Sequence, residues 1–312
     1  MTKKSARLIF FGNERLSTGF QPHGAPTLEA LIAHGYDIAA VVSNFEYAKS
    51  RNARELEIAG VAKQHNIPVL LPKKLSEISE ELRAFHADAG ILVAYGKMIP
   101  QSIIDLFPRG IVNIHPSLLP LYRGSTPIEQ AIRDGAPETG VSLMQLVKTM
   151  DAGPIFAQAR VQLKGAETKH ALTQELLRLG SEILITHLPA ILDGILLPTP
   201  QDEAKATYTT LLTKADAVLD WYQPAEVLER QIRAFAGWPQ ARGTLQISDS
   251  LRLEVVITAA QVTDQSLTPG EVIAKNNQLL VGTPSQALQI TSLKIPGKKE
   301  ISASDFIRGY HL

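Results

Sequence analysis

Asn113 and His115 stand one residue apart at the end of the apolar run Ile111 to Ile114. In extended backbone, residues two apart point to the same side. An amide and an imidazole would therefore share one space at a strand end. An imidazole exchanges protons near neutral pH, and an amide NH2 stabilises an oxyanion without titrating. Asp151, in Met150-Asp151-Ala152-Gly153-Pro154, follows His115 by 36 positions. Its carboxylate could fix the tautomer of the imidazole and favour the protonated ring. Such an Asn/His/Asp set suits acyl transfer. A plainer reading stays open for both groups. A histidine after a strand often serves structure, and an aspartate before Ala-Gly-Pro also suits a turn.

Little else in the chain competes for chemistry. Of the eight histidines, His23, His34, His65, His86, His170, His187 and His311 fall in helical or loop contexts. Ser117 and Ser125 lack a G-x-S-x-G setting, which argues against a serine hydrolase. No P-loop or HExxH motif occurs, and Gly12 to Gly19 does not match G-x-G-x-x-G. The absence of cysteine removes thiolate nucleophiles, disulfides and thiolate metal sites. No metal-ligand cluster stands out, so no metal is expected. The formal net charge is +0, so nucleic acid would have to be met by a local patch.

The elements that would position Asn113 and His115 alternate in kind. Apolar runs at Arg7-Phe11, Ile38-Val42, Val69-Leu71, Ala89-Ala94 and Ile111-Ile114 read as buried strands. Between them, Pro26-His34, Ala53-His65 and Ser76-Phe85 read as helices. Thr126-Pro127-Ile128-Glu129 looks like a capping box with proline at the first helical position. This alternation predicts an α/β fold with a mostly parallel sheet covered on both faces. Ligands of such sheets lie beyond the carboxyl ends of the strands, where Asn113 and His115 fall. Val141-Leu146 and Ile155-Leu163 read as further strands, and Thr168 opens a long helix to about Leu192.

At 312 residues there is room for two domains. The expected division is a first domain over 1-196, an exposed linker over 197-210 and a second domain over 211-312. The linker is rich in proline and polar residues. Beyond it come a helix, Pro224-Ala236, and strand-like runs at Thr244-Ile247, Leu251-Thr258, Glu271-Ala274, Leu279-Val281 and Ala287-Ile295. Turns between them predict a small β-barrel. No run of about 18 apolar residues could span a membrane. Met1 to Arg7 lacks the apolar core of a secretory signal, and a cytoplasmic protein is expected.

The chain resembles the folate-dependent formyltransferase family. The resemblance lies in Asn113-x-His115-x-Ser117-Leu118-Leu119-Pro120, in Tyr122-Arg123-Gly124, in Thr139-Gly140-Val141 and in Asp151-Ala152-Gly153. It implies a Rossmann-like first domain and 10-formyltetrahydrofolate as the formyl donor. It also implies Asn113, His115 and Asp151 as the catalytic set. Val93, Ala94, Tyr95 and Gly96, with Ser117, Leu118, Leu119 and Pro120, would line the folate site. Acceptors in the family range from small amines, sugar nucleotides among them, to charged tRNA, and this set does not distinguish them.

Three further stretches resemble the branch that formylates methionyl-initiator tRNA. They are Ile91-Gly96, Ile232-Pro239, and Pro296-Lys299 with Ser302-Phe306. This implies an OB-like C-terminal domain that contacts tRNA. The alternatives are a formyltransferase acting on a small amine and a non-catalytic RNA-binding relative. Two loops depart from the family. Gly12 to Phe20 replaces a short Gly-Thr-Pro loop, and Asn44 to Arg54 lacks Pro and Gly but keeps Lys49, Arg51 and Arg54. These three cations, with Lys298 and Lys299, are the expected tRNA contacts. From Thr207 onward the ten Lys/Arg are matched by ten Asp/Glu, so contact there would rest on a local pair. A solvated turn is the other reading of Lys298 and Lys299. The sequence does not report oligomeric state, and a monomer is expected.

Overall fold

The structure, a computed structural model, describes residues 6–44, 56–310 and 312. Lys49, Arg51 and Arg54 lie outside the described residues. Two compact units divide the chain. The first comprises Met1–Pro127, Glu138–Gln162 and Leu172–Thr210. The second comprises Ile128–Pro137, Leu163–Ala171 and Leu211–Leu312.

The strands of the first unit are β1 (Arg7–Gly12), β2 (Asp37–Val42), β3 (Val69–Leu70), β4 (Ala89–Val93), β5 (Ile111–His115), β6 (Arg123–Gly124), β7 (Glu138–Gln145), β8 (Ile155–Gln162) and β9 (Tyr208–Thr209). The helices that accompany them are α1 (Pro26–Ala33), α2 (Glu57–Gln64), α3 (Ser79–Ala84), α4 (Gln101–Ile104) and, from Leu172 onward, α6 (Lys169–Leu192), whereas α5 (Pro127–Asp134) belongs to the second unit from Ile128 onward. Seven strands form one sheet in the order β3-β2-β1-β4-β5-β7-β8. The first five are parallel, and β7 and β8 run antiparallel at one side. Leu8, Ile9, Phe10 and Phe11 are all fully buried, as the near-continuous apolar run of a parallel strand requires. The strand order reverses between β1 and β4, which opens a crevice at their carboxyl ends.

The atypical loop after β1 has a structural task. Glu14 is wholly buried, and its carboxylate accepts the backbone N–H groups of Thr27 (2.9 Å) and Leu28 (3.0 Å) at the start of α1. Those groups have no partner inside the helix. Burial pushes the Glu14 carboxyl up from its ordinary 4.5 to about 7, against the opposing pull of the two N–H groups. Between these values the folded chain holds a proton that the unfolded chain has lost. The stability from this group is full below pH 4.5 and declines as pH rises towards 7. Over that window the decline should approach 3 kcal/mol, as an order of magnitude. Glu14→Gln should flatten it. Thermal melts of both proteins at stepped pH check this, and parallel slopes would remove Glu14 as the cause.

The second unit holds α7 (Ala225–Ala234), β10 (Arg242–Ser248), β11 (Leu251–Val262), β12 (Val272–Lys275), β13 (Gln278–Val281), β14 (Leu288–Lys294), β15 (Ile301–Ser302) and α8 (Ala303–Tyr310). The sheet is antiparallel in the order β10-β11-β14-β13-β12, with β15 on β14. Its two ends, β10 and β12, approach each other, so the sheet curls into an OB-like half-barrel. Asn276 and Asn277 both take positive φ, 51° and 63°, and close the two-residue hairpin between β12 and β13. Leu228 and Ile232 of α7 and Phe306 and Ile307 of α8 fill its core. The sequence reading expected strand-like structure after α7 and did not foresee α8.

The stretch expected as an exposed linker, 197-210, belongs to the first unit. Many of its side chains are exposed, yet its backbone is tied down. Thr199 and Ile155 exchange backbone hydrogen bonds at 2.8 Å, and β9 pairs in parallel with β6. The cause is Arg123, a fully buried side chain with donors to satisfy. Its guanidinium donates to Gln201 Oε1, to both Glu203 oxygens and to the Tyr208 hydroxyl, at 2.7 to 3.1 Å.

Candidate active site

The sheet register builds the site. On β5, Asn113 lies opposite Leu92 of β4 and Met144 of β7, and His115 lies opposite Ser142. The side chains of Asn113 and His115 share one face, as their spacing requires, and both residues are buried. Among the described residues the Asn113 side-chain amide makes no hydrogen bond, although it is only 6% exposed. The amide is not among the sealed side-chain groups that lack a partner, so its donors keep access to the space beyond the strand end.

His115 is held from two sides. Its Nε2–H donates to the Tyr122 carbonyl at 3.0 Å. Nδ1 then faces Asp151, with Oδ2 at 3.7 Å. That gap exceeds a direct hydrogen bond. The arrangement leaves Nδ1 as the ring atom free to carry a proton into the site.

Asp151 sits in a tight turn. It has φ +47°, unusual for a residue with a side chain. Its Oδ2 accepts the Gly124 N–H at 2.8 Å. Gly124 itself has φ +106°, and a Cβ there would fall 2.3 Å from the Thr209 carbonyl. Gly153 has even less room, since a Cβ would meet the Gln145 carbonyl at 1.8 Å. The Asp151-Ala152-Gly153 turn is thereby seated against the end of β7.

The expected folate residues occupy two segments. Val93 ends β4 next to the position facing Asn113, so the 93–96 segment leaves the sheet beside the amide. Ala94 and Gly96 both take positive φ. The Tyr95 ring turns into the core, edge-on to Phe11, and its burial pushes the phenol up to about 12. What Tyr95 presents outward is backbone, and its carbonyl accepts the Asn44 amide at 2.5 Å. Ser117 to Pro120 forms a buried loop with a cis bond before Pro120. Ser142 braces this loop. Its hydroxyl donates to the Ser117 carbonyl at 2.7 Å and accepts from the Leu119 N–H at 3.0 Å. Gln158 adds a bond to the Leu119 carbonyl at 2.9 Å.

Lys298 and Lys299 lie on an exposed turn of the second unit, far along the chain from Asn113, His115 and Asp151. Sequence reasoning missed Tyr122, Ser142, Gln158 and Gln201 as parts of the site. Only Tyr122 carried a signal, through the Tyr122-Arg123-Gly124 motif. Among the described residues no group of three His, Cys, Asp or Glu is placed to hold a metal ion, and no helix is long and apolar enough to cross a membrane.

An imidazole, a free amide donor and a carboxylate at the end of a parallel sheet can stabilise an oxyanion and move a proton. Residues 16–188 match the formyl transferase family, and residues 211–311 match the formyl transferase C-terminal domain. The chain belongs to the formyl transferase family. Its relatives along nearly the full length include the methionyl-tRNA formyltransferase of Chloroflexus aggregans, 38% identical over 98% of this chain and 97% of that one. The methionyl-tRNA formyltransferase of Pseudomonas fluorescens is 34% identical over 96% of this chain and 92% of its own length. Among solved structures, the fold is similar to an N-formyltransferase from Helicobacter canadensis in complex with folinic acid and dTDP-3-aminofucose. There the TM-score is 0.68 at 16% identity, over 92% of this chain and 98% of that one.

Proposed function

We propose that the protein transfers a formyl group from 10-formyltetrahydrofolate to the amino group of methionyl-initiator tRNA, for translation initiation in the cytoplasm. The observation that carries this reading is the buried pair Asn113 and His115 at one strand end, with Asp151 beside the ring. The full-length likeness to methionyl-tRNA formyltransferases supports the choice of acceptor.

In the proposed reaction the amine attacks the formyl carbon and an oxyanion forms. The Asn113 amide donates to that oxygen. The bond from the formyl carbon to N10 of the folate then breaks. The amine loses one proton and N10 gains one, so charge and atoms balance. With Nε2 anchored on Tyr122, Nδ1 of His115 handles the proton, and the Asp151 carboxylate balances the charge of the ring while it does so. The 93–96 and 117–120 segments form the folate site. Lys298 and Lys299, with Lys49, Arg51 and Arg54, supply phosphate contacts, which gain affinity by releasing counterions.

The test is transfer of labelled formyl from 10-formyltetrahydrofolate to methionyl-tRNA, with uncharged tRNA and an amino-sugar nucleotide in parallel. Label should appear on methionyl-tRNA alone. Label on the sugar nucleotide instead would replace the acceptor, and tRNA binding without transfer would point to a non-catalytic relative.

A further inference from the structure

We propose that Gln201 is a positioning residue for the reaction, and that it holds Asp151 in the backbone conformation that presents its carboxylate to His115. The proposal rests on the formyl-transfer reading above, and part of its test does not depend on that reading.

Asp151 faces His115 from a left-handed backbone, φ +47°. Aspartate tolerates that region better than most side chains but does not prefer it, so contacts with neighbours hold it there. Gln201 supplies the enforcement. Its Nε2 donates to the Asp151 carbonyl and to the Gly153 carbonyl, each at 2.7 Å. Both ends of the turn are tied to one amide nitrogen.

The orientation of that amide is fixed by chemistry. Its Oε1 accepts from Arg123 Nε at 3.1 Å and Nη2 at 2.8 Å. A guanidinium only donates and a carbonyl only accepts, so a flipped amide would lose all four bonds. Arg123 is fully buried, and Glu203 and Tyr208 occupy its remaining donors. It is held again through its backbone, its N–H donating to the Thr207 carbonyl at 2.8 Å. The next residue, Gly124, donates its N–H to Asp151 Oδ2. One buried arginine therefore governs Asp151 twice: through Gln201 at the backbone and through Gly124 at the carboxylate.

Gln201→Glu separates positioning from packing. The substituted side chain has the same size and still accepts from Arg123. It cannot donate to the two carbonyls, which repel it. Displacing a reacting group by about 1 Å commonly costs on the order of 10²-fold in rate. The expected result is a kcat about ten- to a hundredfold lower, with the KM for the folate donor and the Tm close to those of the parent. Hydrogen exchange of the Gly124 amide should quicken, because its acceptor has moved. A kcat close to that of the parent, or an unchanged Gly124 amide, would overturn the proposal. So would a KM and Tm that worsen in step with kcat, since that marks general loosening. If the parent protein transfers no formyl group to any acceptor, the functional reading fails. The Gly124 amide then decides the positioning claim by itself.

Discussion

Asn113→Ala should lower kcat for formyl transfer by about 10²–10³, the usual loss when one oxyanion donor is removed. The reason lies in the state of the amide before reaction. It is buried, and among the described residues it makes no hydrogen bond. Its donors are thus available to a new oxygen without breaking an existing bond. Truncation also leaves no partner stranded, so the Tm should fall only as far as a small cavity requires. Asn113→Asp tests the sign of the interaction. An ionised carboxylate accepts and does not donate, and it would repel the oxyanion. It should be at least as damaging as alanine. Single-turnover rates for the three proteins check the claim, and a rate for Asn113→Ala within a few-fold of the parent would refute it.

Asp151→Asn should cost more, about 10³–10⁴ in kcat, by analogy with a carboxylate-to-amide change beside a catalytic imidazole. Asparagine is the informative substitution here. It tolerates the left-handed region in which Asp151 sits, so the turn survives. Its amide oxygen can still accept the Gly124 N–H. What disappears is the negative charge opposite Nδ1 of His115, 3.7 Å away. Alanine would confound this with backbone strain and the lost Gly124 bond. Melting curves should therefore be close for Asp151→Asn and the parent, while the rates diverge. Equal rates would show that the carboxylate takes no part in moving the proton.

The proposed catalytic pair was legible because strand geometry is local. Two residues of an extended run point the same way wherever the run is placed, and Asn113 and His115 do so on β5. The parallel sheet was legible from its near-continuous apolar runs. Asp151 could be named as a candidate carboxylate, and only the resemblance made it part of the set, because spacing along the chain does not say where a turn after β7 will land. The hold of Arg123 on 197-210 was hidden for the opposite reason. A segment rich in proline and polar side chains reads as solvated unless the buried charge it satisfies is known. Glu14 was missed in the same way, since its partners are backbone N–H groups, which have no sequence signature. The short helix α8 was lost among strand-like neighbours.

The tie between Arg123 and the 201–209 stretch bears on how this chain can be cut and recombined. A fragment ending at Leu196 would keep Asn113, His115 and Asp151 and still lack Gln201, Glu203, Thr207, Tyr208 and Thr209. It would leave the Arg123 guanidinium without its side-chain partners, next to the turn that carries the carboxylate. The natural graft point for exchanging C-terminal modules between relatives therefore lies after Thr210. Upstream of it, a swap at the proline-rich seam replaces part of the proposed active site along with the appendage.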